Sequence, residues 1–88
     1  GEGEKKFSDF TAEKWQEYPA RRVSMYNDLV DRYELDGWTE DEGIALLGNP
    51  DEKDEESNQV YYVYSATQES NIYVKFIDGK VEDFYMIT

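Results

Sequence analysis

Apolar residues recur at helical spacing in the first half of the chain. Between Pro19 and about Glu34, five apolar or aromatic residues fall within one stripe when successive residues are rotated by 100°. They are Val23, Tyr26, Leu29, Val30 and Tyr33. Pro19 suits the first helical position because its missing N–H would have no partner there. The pattern predicts an amphipathic helix of about four turns.

A shorter apolar spacing precedes this helix. Phe7, Phe10 and Trp15 are separated like the anchors of one or two helical turns, and Ser8 or Thr11 can act as the N-cap. Residues 1–6 are polar or small and have nothing to bury. We therefore expect a weakly held tail ahead of a single domain over residues 7–88.

A second main helix is predicted by its start and stop signals. Thr39 and Glu42 form the T-x-x-E pattern of a capping box, in which each side chain accepts a hydrogen bond from the other residue's backbone N–H. Gly48 can adopt a left-handed conformation at the C-terminus, and Pro50 prevents continuation. The apolar residues between these signals are Ile44, Leu46 and Leu47.

The second half of the chain has the composition of β-strands. Residues 51–59 hold five acidic residues, one lysine and no apolar residue, which predicts a solvated loop. Residues 60–66, 72–77 and 81–87 are rich in β-branched and aromatic residues, and Asp78-Gly79 is typical of a type I′ hairpin turn. We therefore predict an antiparallel three-stranded meander.

The order of these elements predicts an α+β fold. Two helices that precede a single sheet can hide one of its faces by packing across it as a two-layer sandwich. Alternation along the strands places Ile72, Val74, Phe76, Phe84, Met86 and Val63 in the core. The outer face then carries Tyr62, Tyr64, Tyr73 and Tyr85. This assignment depends on register, because a slip of one residue inverts the two faces of a strand.

Composition removes most reaction chemistry. The 88 residues contain neither cysteine nor histidine, so thiolate nucleophiles, disulfides, the usual zinc ligands and a base that titrates near neutral pH are all missing. The remaining carboxylates lie in a capping box, on a polar helix face and in the acidic segment. We predict no catalytic residue, no cofactor and no metal.

The net charge of −12 constrains the partners. Residues 37–59 alone hold eight acidic residues and one lysine. Such a field disfavours nucleic acid and anionic membranes and permits basic partners or cations. Ca²⁺ binding by Asp51, Asp54, Glu55 and Glu56 is an alternative for the acidic segment, but the spacing of an EF-hand loop and its central glycine are missing.

The chain has no apolar run of the roughly 20 residues that span a bilayer, so we predict no transmembrane segment. It begins with Gly1 instead of Met, which we interpret as a trimmed N-terminus. A signal or lipid-anchor segment can have preceded it.

One stretch carries a family resemblance. Leu35 to Pro50 reads L-x-G-W-T-x-x-E-x-x-x-L-L-G-x-P, and Tyr73 to Val81 reads Y-V-K-F-I-D-G-K-V. This order resembles the small lipoprotein domains of the SmpA/OmlA type, whose fold is shared with the β-lactamase inhibitor protein. The resemblance implies two helices on an antiparallel sheet and an extracytoplasmic location. Gly43 departs from it, since that position usually carries a branched aliphatic residue, and we expect close packing by Trp38 there.

Members of that family are binding or scaffolding modules, so the resemblance implies a non-enzymatic protein-binding module of the bacterial cell envelope. Tyrosine is common in binding surfaces because its ring buries much area and its hydroxyl adapts to polar partners. We expect the partner to contact the four outer-face tyrosines or an edge of the sheet, which is also a route to homo-oligomers. Two alternatives stay open: an inhibitor or sensor that binds one target stoichiometrically, or tyrosines that only cover the sheet.

Overall fold

A computed structural model describes residues 7–88, and it has helices followed by one antiparallel sheet of four strands. The helices are α1 (Ala12–Glu17), a 3₁₀ turn (Pro19–Arg21), α2 (Arg22–Arg32) and α3 (Glu40–Leu47). The strands are β1 (Glu52–Glu56), β2 (Gln59–Ser65), β3 (Asn71–Ile77) and β4 (Lys80–Ile87), and they neighbour one another in chain order. The α+β class is confirmed. The tail predicted for residues 1–6 lies outside the described residues.

The prediction of three strands is wrong because the acidic segment contains a fourth. Glu52–Glu56 pairs antiparallel with β2, from Glu52 opposite Val63 to Glu56 opposite Gln59. Ser57, with φ of 53°, turns the chain between the two strands. All five residues of β1 are exposed, so the strand buries no apolar side chain and no apolar pattern marks it in the sequence.

Local signals define both ends of α3 and the start of α1 as predicted. The Thr39 hydroxyl accepts from the Glu42 N–H at 3.2 Å, and the Glu42 carboxylate accepts from the Thr39 N–H at 2.9 Å, which completes the capping box. Of the two candidate caps before α1, Thr11 is used. Gly48 ends α3 with φ of 77° and ψ of −177°, an extended conformation that only glycine adopts easily.

Helix α2 is shorter than predicted and is rotated about its axis. Its buried residues are Arg22, Met25 and Leu29, whereas Val30, expected in the core, is 39% exposed. Arg22 occupies a core position that hydrophobic periodicity assigns to an apolar residue, so the predicted stripe is displaced toward Val30.

The core lies between the helices and one face of the sheet. Trp15 of α1 contacts Tyr64 of β2 with ring centroids 6.0 Å apart, and Tyr26 of α2 stacks on Phe84 of β4 at 5.4 Å. The buried hydrophobic residues are Phe10, Trp15, Met25, Leu29, Leu35, Leu47, Tyr62, Tyr64, Ile72, Val74, Phe76 and Val81.

Gly43 approaches the sheet and not Trp38. A Cβ atom at this position would lie 3.6 Å from Cζ of Phe76. The expected contact with Trp38 is therefore wrong, because that ring turns toward Tyr33, with centroids 6.0 Å apart. Helix α3 thus covers the face of the sheet that carries Phe76.

Candidate interaction surface on the outer sheet face

Two of the four tyrosines predicted on the outer face are buried beneath the helices. Tyr62 is 1% exposed and Tyr64 is fully buried. In the antiparallel register, Tyr62 lies opposite Val74 and Tyr64 opposite Ile72, and directly opposite residues share a face. The assignment of Tyr62 and Tyr64 to the outer face and of Val63 to the core is therefore wrong, and both errors come from a shift of one residue along β2.

Both buried tyrosines attach α3 to the sheet through their hydroxyl groups. Tyr62 donates to a carboxylate oxygen of Glu40 at 2.6 Å, and Tyr64 donates to the carbonyl oxygen of Gly48 at 2.7 Å. These bonds reach the first and last turns of the helix. Burial raises the pKa of both phenols well above the ordinary value, and the Glu40 carboxylate adds to the effect at Tyr62. They are structural residues.

The outer face of the sheet carries a different set of side chains, which we call the outer-face cluster: Tyr61, Val63, Tyr73 and Tyr85. Val63 lies opposite Tyr73, which lies opposite Tyr85. The rings of Tyr73 and Tyr85 stack with centroids 5.3 Å apart and planes at 17°. All four residues are partly exposed. Tyr73 and Tyr85 are thus on the predicted face, and Tyr61 and Val63 replace the other two.

The cluster lines an open depression of about 730 Å³. Its other lining residues, Glu52, Lys53 and Asp54, come from β1. Because Glu52 lies opposite Val63 and Asp54 opposite Tyr61, both carboxylates share the face of the cluster. The missed strand β1 therefore forms the acidic wall of an aromatic surface.

Charges around the cluster are unevenly compensated. The Lys75 ammonium lies 5.8 Å from the Tyr61 ring centroid and 3.8 Å from a carboxylate oxygen of Glu82. Glu52 and Asp54 form no ion pair with any lysine or arginine of residues 7–88. Tyr85 is partly buried by its neighbours, and this burial raises the pKa of its phenol.

Arg22 forms three side-chain hydrogen bonds, and all of them join parts of the fold. Its guanidinium donates to the carbonyl oxygens of Trp15 and Ser65, both at 2.9 Å, and to the Asp51 carboxylate at 3.0 Å. The rings of Trp15 and Tyr64 lie 5.3 and 5.5 Å from it. The Nε and Nη1 groups of this buried guanidinium therefore join α1, α2 and the sheet.

The described residues show little other site chemistry. Two further depressions, about 230 and 320 Å³, are both smaller than the one on the outer face. Within residues 7–88 no three acidic side chains are arranged to hold a metal ion, and Glu55 lies on the opposite side of β1 from Asp54 and Glu56. The calcium-binding alternative assumed that residues 51–59 form a loop, whereas Glu52–Glu56 form a strand, so that premise is wrong.

No helix within the described part of the chain is both long enough and apolar enough to cross a membrane. Comparison with protein-family models, curated proteins and solved structures finds no match to this chain.

Proposed function

We propose that this protein is a non-enzymatic protein-binding module whose partner docks on the outer-face cluster. The observation that carries the proposal is the stacked pair Tyr73 and Tyr85 beside Tyr61 and Val63, in an open depression on the sheet face away from the helices. The helices already bury the other face, so this surface contributes nothing to their packing. Partly exposed rings held in fixed positions lose little conformational freedom when they bind.

The form of the surface favours a protein partner over a small molecule. The depression is open to solvent, whereas small ligands are usually enclosed in clefts that bury most of their surface. A module of this shape can serve as a scaffold within an assembly or as an inhibitor of one target, and the stoichiometry of the complex separates the two.

The proposal includes a location in the bacterial cell envelope. Its support is the resemblance of Leu35–Pro50 and Tyr73–Val81 to SmpA/OmlA-type domains. The test is the sequence encoded upstream of Gly1 in the full reading frame, because a signal segment is removed from the mature protein. A signal segment followed by a lipid-accepting cysteine is the expected result, and a cytoplasmic protein without either would contradict the location.

Self-association through β1 is less favoured than docking of a different protein. Strand β1 is an edge of the sheet, but four of its five residues are acidic. Pairing two copies of it would bring like charges opposite one another, which destabilises the pairing.

The binding test replaces the stacked pair. In the double variant Tyr73→Ser, Tyr85→Ser we expect loss of the cross-linked complex formed in the cells of origin, because the rings supply the contact area. Val30→Ser is the matched control, since Val30 is an exposed apolar residue on the helical side. Equal cross-linking by wild type and the double variant, with circular dichroism showing both folded, would refute docking on this face.

A further inference from the structure

We propose that the partner presents an extended segment bearing arginine or lysine side chains, which lies over the outer-face cluster with its cations against the carboxylates of Glu52 and Asp54. This inference rests on the proposed docking face and adds the chemistry of the occupant.

Acidic side chains and aromatic rings lie side by side on the outer face of the sheet. Glu52, Val63, Tyr73 and Tyr85 form one row across the four strands, and Asp54, Tyr61, Lys75 and Asp83 form the next. Neighbouring strands are about 4.8 Å apart, so an acidic side chain and a tyrosine ring lie within the span of one arginine side chain. A guanidinium can pair with the carboxylate through its nitrogens while its plane rests on an aromatic ring.

One cation of the chain itself already lies on this surface against both a ring and a carboxylate. Lys75 lies over the Tyr61 ring and beside the Glu82 carboxylate. This arrangement pairs an ammonium group with both a ring and an acid. The same two kinds of group are present around Tyr73 and Tyr85, where the carboxylates of Glu52 and Asp54 have no ion-pair partner within residues 7–88.

Charge complementarity favours a basic partner over a second copy of the chain, nucleic acid or an anionic membrane. The chain carries a net charge of −12. A second copy would bring the same charge to the interface, and nucleic acid or an anionic membrane would meet the same repulsion. A basic segment is attracted by the whole field and is also accommodated by the local surface.

The test measures binding of a hexa-arginine peptide to the folded protein by calorimetry at about 0.15 M salt. In Glu52→Gln, Asp54→Asn we expect the affinity to fall about 5-fold or more, since two exposed charge pairs with the peptide are lost. The matched control is Glu17→Gln, Asp31→Asn, which makes the same change in net charge at exposed positions on α1 and α2. We expect less than about 2-fold weakening there, because distant charges are screened.

Two further variants distinguish a local contact from general attraction. Tyr85→Leu keeps most of the apolar area but removes the aromatic face, and should weaken the peptide about 2- to 5-fold. Lys75→Met removes the competing cation and should tighten binding, whereas Lys14→Met on α1 should change it less. Absence of hexa-arginine binding, or equal weakening by the two double charge variants, would overturn the inference.

Failure of this inference is distinguishable from failure of the proposed function. If the Tyr73→Ser, Tyr85→Ser variant loses its cellular complex while hexa-arginine does not bind, the docking face stands and the cationic occupant is wrong. If the complex survives that double variant, the docking face itself is wrong.

Discussion

Replacing Gly43 by alanine should stabilise the protein, and the size of the gain tests how α3 lies on the sheet. Gly43 is buried within the helix, and the added methyl group would lie 3.6 Å from Cζ of Phe76, an ordinary van der Waals distance. Alanine is favoured over glycine in a helix interior by about 1 kcal/mol. Because the space accepts the methyl group without movement, we expect most of that gain to appear in the free energy of unfolding.

The assay is thermal and urea unfolding of Gly43→Ala beside the wild type. A gain of about 1 kcal/mol corresponds to a rise of roughly 4–8 °C in Tm for a domain of this size. Gly43→Val should reverse the sign, because its γ-carbons extend into Phe76 and overpacking costs about 1–3 kcal/mol. Gly48→Ala is the comparison at the helix end, where φ is 77° and a Cβ would lie 2.9 Å from the Gln16 side chain, so it should be destabilising.

A lower Tm for Gly43→Ala would refute this packing. It would mean that the helix lies closer to Phe76 than 3.6 Å or that another surface covers Gly43. The identification of the free face of the sheet would then lose its basis, since that face is defined as the one opposite Phe76.

Three other predictions follow from single contacts. Thr39→Ala removes one half of the capping box and should lower the free energy of unfolding by about 1 kcal/mol in urea titrations, whereas an unchanged midpoint would contradict the role of the cap. The pKa of Asp28 is lowered, chiefly because its carboxylate accepts a hydrogen bond from the backbone N–H of Phe10. The stabilising effect of this carboxylate should be present at neutral pH and lost as the pH falls below 3.8. Asp28→Asn should make the free energy of unfolding less dependent on acid, and a pH profile identical to that of the wild type would be contrary evidence. Burial raises the pKa of Tyr62 and Tyr64 above 10.0, so both phenols should stay protonated one pH unit above that value, and the free energy of unfolding should fall as the pH rises past 10.0. In ultraviolet titrations, Tyr62→Phe and Tyr64→Phe should each remove one tyrosine that ionises late. Removal of a tyrosine that ionises early would argue against their burial.

The features predicted well from sequence depend on neighbouring residues. The capping box of Thr39 and Glu42 needs only their spacing of three. The turn at Asp78 and Gly79 needs two residues that tolerate positive φ, and both have it, at 53° and 82°. Such signals are complete within four residues of chain, so no tertiary contact is required to interpret them.

Strand β1 was missed because its stability comes from its partner. None of the residues Glu52–Glu56 is apolar, and none is buried. Its hydrogen bonds go to β2, whose other edge pairs with β3. An edge strand stabilised by backbone pairing gives no periodic signal, and its acidic side chains read as a solvated loop.

The assignment of β2 residues to the two faces of the sheet is wrong because the strand has no polar side that would indicate its orientation. Val60 to Tyr64 are all apolar or aromatic, so alternation cannot choose a face. The connection to β3 contained the needed signal. A connection with an odd number of residues, such as the five residues 66–70, places even-numbered residues opposite even-numbered ones. Tyr62 and Tyr64 therefore share a face with Ile72, Val74 and Phe76.

The burial of Arg22 cannot be predicted from the hydrophobic pattern of the sequence. A charged residue scores as surface in any hydrophobic periodicity, yet Arg22 is 4% exposed. Its burial depends on two carbonyl oxygens and a carboxylate that lie 7, 43 and 29 positions away in the chain. Only the folded arrangement shows that its guanidinium can be satisfied there.

Site-specific photo-cross-linking in the cells of origin tests the central claim most directly. Tyr73→p-benzoylphenylalanine places the reactive group on the outer-face cluster, and the same substitution at Val30 places it on the exposed helical side. The outer-face docking proposal predicts one discrete cross-linked protein from position 73 and none from position 30. Cross-linking from position 30 without cross-linking from position 73 would contradict it.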